Sequence, residues 1–153
     1  MNKKIVFLGL LVSGAATAAD FVGNVSFTLL TPITATEDNA LSLGNIIAKS
    51  GDSCTVAPGS STATGAACSA GGTVSSASFT VSGETGTSVN VAISGEDTSI
   101  TDVTFTPDIG GVNSLSLGGT GSATLEVGGT VNITGASAPN GTQSLTYTLT
   151  LTY

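Results

Sequence analysis

The sequence predicts an all-β domain, an immunoglobulin-like β-sandwich with one disulfide, on three observations. Apolar residues downstream of the N-terminal run recur with period two and not with the helical three or four. The 21 glycines fall largely between these alternating runs, at spacings of roughly 8–12 residues, as in sandwiches. Threonine, β-branched and polar, fills many of the alternate positions and suits the outer face of a half-buried sheet.

The elements follow in chain order. Met1-Asn2-Lys3-Lys4 is a positive start, Ile5 to Val12 a short apolar run, and Ala16 to Ala19 a small-residue end, which together read as a secretory signal peptide over residues 1–19. Ser13 and Gly14 interrupt the run, short of the ~18 apolar residues that a membrane span needs. Residues 20–30 form the next unit. Val25, Phe27 and Leu29 alternate with Asn24, Ser26 and Thr28, and Phe21 to Leu30 carries no charge. Such a strand either pairs within its own sheet or is offered to another subunit, because natural edges are normally guarded by charge or proline.

Residues 31–153 make the sandwich. Ile33 and Ala35 mark one strand after Pro32, and Leu41 and Leu43 lead into another over 44–47. Ser50 to Gly72 is turn-rich and is expected to hold two short strands. Runs at 77–82, 88–93, 99–106 and 123–127 follow, each bounded by glycine; Gly128-Gly129 reads as a turn before Thr130 to Thr134. The last strand is expected over Gln143 to Tyr153, with Leu145, Tyr147, Leu149, Leu151 and Tyr153 on one face. No repeat longer than a hairpin and no linker divides the domain.

Cys54 and Cys68 are the only cysteines. In an oxidising compartment such a pair is most simply a disulfide, and closing a loop of this length is worth roughly 3 kcal/mol.

Composition narrows function by exclusion. Loss of Lys3 and Lys4 with the signal leaves Lys49 as the single basic residue against ten acids, so the net charge falls from −7 to −9, and there is no His or Arg. Nucleic acid and anionic lipid need basic footprints and are not expected partners. Without His, Arg or a free thiol the acid–base inventory is poor, and the expectation is a non-enzyme without a cofactor. Glu96, Asp97 and Asp102 cluster around one turn. A calcium or paired-carboxylate reading exists for them, but their spacing matches no standard calcium loop, and solvated turn acids are the simpler reading.

The chain's last strand carries a resemblance. Gly141 and Tyr153 bracket it twelve positions apart, which resembles the C-terminal signature of chaperone–usher pilins, although the aromatic is here the last residue and not the penultimate one. A wider resemblance rests on Pro32-Ile33-Thr34, Leu41 to Ile46, Ala77 to Gly83, Ala123 to Thr130 and Leu149 to Tyr153. These segments look like domain-of-unknown-function family 4402, exported β-domains of Gram-negative bacteria, some of which look related to pilins. The resemblance implies export and fold, and by association polymerisation. The expectation is a pilin-like structural subunit of an extracellular or surface filament, serving adhesion or a biofilm. Val25, Phe27 and Leu29 would insert into the next copy, with a periplasmic chaperone and an outer-membrane usher as implied helpers. The alternative is a monomeric secreted or surface-bound binding module.

Overall fold

The computed structural model describes residues 18–153; the signal peptide expected over residues 1–19 lies almost wholly outside them. Residues 18–33 belong to no strand. Eleven strands follow: β1 (Thr34–Asn39), β2 (Ser42–Ile46), β3 (Ser53–Val56), β4 (Ala63–Thr64), β5 (Cys68–Ser75), β6 (Ala77–Ser82), β7 (Ser88–Ser94), β8 (Val103–Asp108), β9 (Ser114–Ser116), β10 (Ser122–Ile133) and β11 (Thr148–Thr152). The only helical element among the described residues is a single 3-10 turn at Gly118–Thr120.

All pairings are antiparallel and form three open sheets. The largest runs β1-β6-β10-β3-β4, with β8 also on β10; the others are β11-β7-β9 and β2-β5. The core has two halves. In one, Ala77, Val81, Leu125 and Val127 of β6 and β10 meet Val89 and Val91 of β7, so the large sheet packs face to face on the three-stranded one. In the other, Val103, Phe105, Val131 and Ile133 of β8 and β10 pack around Cys54.

β10 joins the halves, and here an expectation is corrected. Gly128-Gly129 is not a turn: it lies in the middle of one twelve-residue strand. Residues 122–127 pair with β6, and residues 128–133 with β8 and in part β3. The glycines answer crowding. A Cβ on Gly128 would fall on the Val56 carbonyl oxygen, and one on Gly129 on the Phe105 ring.

Other boundaries also move. The disulfide region holds three strands and not two, with Cys54 on β3 bonded to Cys68 on β5. The last strand begins at Thr148; residues 143–147 alternate in sequence but pair with no strand. Leu145 and Tyr147 still turn inward against the core. Alternation there records burial against a core and not a ladder.

Candidate functional site

Three features stand out: an unpaired apolar arm, a hydrogen-bonded clamp at its root, and an open groove at the other end of β1.

The arm is residues 18–33. Phe21 is 93% exposed, Val25 86%, Phe27 77% and Leu29 83%. Single exposed apolar residues are ordinary, but a run of this size with no intervening charge is not. By contrast β1, an edge strand exposed on both faces, carries Glu37 and Asp38, the usual protection of an edge.

The clamp fixes where the arm leaves the domain. The amide and hydroxyl of Thr31 donate to Glu84 Oε2 at 2.9 and 2.8 Å. The Tyr153 hydroxyl donates to the Thr31 carbonyl oxygen and accepts the Glu84 amide at 2.7 Å. The two bonds from Thr31, the amide's first, hold the Glu84 carboxyl below its ordinary range, because they stabilise the charged form. Thr31 and Glu84 carried no signal in the sequence, since their partnership spans 53 positions.

The groove encloses about 820 Å³, toward the upper end of the roughly 300–1,000 Å³ of sites that bury a small ligand. It is lined by β2, by β8 and the second half of β10, and by residues 138–147; among the described residues Glu37 is the one charged residue on it. Its accessible apolar surface comes from the half-buried Leu41, Leu43, Ile46, Leu145 and Tyr147, which lie over the buried Phe105, Val131 and Ile133, and polar residues of 42–45 and 142–144 share the lining. Tyr147 is its central aromatic, edge-on to Phe79 at 6.4 Å and tilted against Phe105 at 6.2 Å. Its hydroxyl is buried and has no hydrogen-bond partner among the described residues. Burial, with Glu37 nearby, raises its pKa.

The groove also explains two of the three turn acids. Asp97 Oδ1 accepts the Ser99 amide at 2.9 Å, and Oδ2 accepts the Thr146 amide at 2.6 Å and its hydroxyl at 3.1 Å. Asp97 is thereby lowered to about 2, with the Ser99 bonds the largest cause and the Thr146 amide next. Asp102 accepts the Ser137 amide at 2.8 Å. The two acids therefore tie down both ends of the 137–146 segment, which forms part of the groove lining. No group of three or more His, Cys, Asp or Glu side chains among the described residues is placed to hold a metal ion. Gly141 lies on the groove and Tyr153 at the clamp, so the two residues singled out at the C-terminus sit at different features.

Fold and surface together define a disulfide-stapled, all-β domain with an N-terminal arm, uncharged from Phe21 to Leu30, that its own strands leave unpaired. The chain belongs to the family described as Domain of unknown function (DUF4402), whose model matches residues 33–153, the folded domain without the arm. Nothing among the curated proteins, and nothing among the solved structures, matches the chain. Among the described residues no helix is long and apolar enough to cross a membrane.

Proposed function

We propose that the protein is an exported, non-catalytic structural subunit that polymerises head to tail at the bacterial surface, each copy donating residues 20–30 to the next. One observation carries the reading: Val25, Phe27 and Leu29 stand in solvent on a charge-free stretch, Phe21 to Leu30, that joins no strand among the described residues. Side chains of this kind gain roughly 1.5–3 kcal/mol each when moved from water to a packed interior. A heterologous contact does not close on itself and so grows into a fibre. The Cys54–Cys68 bridge suits a protein that works in an oxidising compartment.

The rival, a monomeric secreted or surface-bound binding module, draws on the groove. The two separate by particle size. Residues 20–153, purified and concentrated, are expected to give a concentration-dependent ladder in size-exclusion chromatography and filaments by electron microscopy. Deleting residues 20–30, or Phe27→Asp, is expected to leave a folded monomer. A particle that stays monomeric at every concentration, or filaments that survive the deletion, would overturn the proposal.

A further inference from the structure

We infer that the receptor for the arm is the groove beside β2 on a second copy of this chain, with Phe27 seated against Leu43, Leu145 and Tyr147. The inference rests on the polymerisation reading above and adds the site to it.

Six successive residues of β2 and its approach, Leu41 to Ile46, all line the groove. A strand seen face-on presents only every second residue. β2, which a bulge between Leu43 and Asn45 also twists, therefore presents an edge as well as a face, and the edge is open, because among the described residues β2 pairs with β5 alone. Residues 141–145 line the groove just as continuously and form no ladder with any strand. An entering strand thus finds unpaired backbone along the groove together with apolar side chains, the two requirements of strand addition. A carbonyl of that strand supplies the acceptor that the Tyr147 hydroxyl lacks.

The arm matches in length, pattern and charge. Val25, Phe27 and Leu29 project to one side of an extended chain, and no charge between Phe21 and Leu30 has to be buried. Polarity favours another copy as the donor. The clamp holds Thr31 at the end of β1 where Thr34 pairs with Ser82, whereas the groove takes in Glu37, past the middle of β1, and Ala40, just beyond its far end. Root and receptor are thus separated by three to six residues of extended chain, about 10–20 Å at ~3.3 Å per residue, and an arm leaving the clamp has to double back along β1 to reach its own groove. The arrangement repeats by translation and gives a chain of copies.

Both native cysteines are in the disulfide, so an introduced thiol is the single free one in each copy. Thr28→Cys in one copy, which leaves the three apolar side chains of the arm in place, is mixed, under mild oxidation, with a second copy carrying Ser144→Cys, Asn45→Cys or, as the competing site, Thr150→Cys on the uncharged edge strand β11. The groove positions are expected to yield about tenfold more linked dimer than Thr150, as docking raises the effective thiol concentration. Intact disulfide and unchanged circular dichroism identify variants that have folded. Filaments that depend on the arm, but link equally or better through Thr150, overturn the groove and leave polymerisation standing. Protein that neither polymerises nor links at any position overturns both.

Discussion

Asp97 shows how one carboxylate can hold a surface in place. It accepts from Ser99 and Thr146, and with Asp102 it fixes the segment along the groove. Its pKa is depressed from the ordinary 3.8 to about 2. The native state thus binds a proton less readily than the unfolded chain. The tether is fully present above pH 3.8 and is lost as pH falls toward 2. In Asp97→Ala the Thr146 amide is expected to exchange with solvent faster at neutral pH, and the dependence of that exchange on acid between these values should disappear. Hydrogen exchange read by NMR tests both. Gly129 makes the opposite kind of prediction. A methyl group there meets the Phe105 ring, and overpacking typically costs about 1–3 kcal/mol. Gly129→Ala should lower the urea midpoint without changing its slope, whereas Gly119→Ala, where a Cβ meets nothing within 4 Å, should leave the midpoint nearly unmoved.

At the scale of elements, legibility followed the origin of the pattern. β6 and β7 alternate cleanly because one face of each meets the core, and both runs could be read from the sequence almost to the residue. The Gly128-Gly129 pair could not, because its cause is the approach of Val56 and Phe105, far away in sequence. Residues 143–147 alternate for a third reason, the inward packing of Leu145 and Tyr147 without a ladder. The arm was legible as a charge-free alternating run, but the groove was not: it is assembled from β2, β8, β10 and residues 138–147, and no local pattern announces such a junction. The disulfide joins β3 to β5 across a turn-rich stretch of 14 positions. Replacing both cysteines by alanine should cost about 3 kcal/mol of unfolding free energy. Because β5 is the partner of β2, the replacement should also raise hydrogen exchange along β2 before the rest of the sheet loosens.

For the whole molecule the governing quantity is charge. Residues 20–153 carry one lysine and ten acids, and that lysine is already paired with Asp52 at 3.1 Å. Copies therefore repel one another at long range, while the proposed contact between arm and groove contains no ion pair to offset the repulsion. Fields of this kind reach about 30 Å at 0.01 M salt and about 10 Å at 0.1 M. Raising the salt across that range should speed assembly, chiefly through the association rate, and should strengthen rather than weaken the filament. A contact built on complementary charges would respond in the opposite direction, its association slowing as salt is added. Light scattering of residues 20–153 followed over that salt series distinguishes the two. Repeating it with Glu37→Gln, which removes the one charged residue among the described residues lining the groove, should raise the rate at low salt and flatten its dependence on ionic strength.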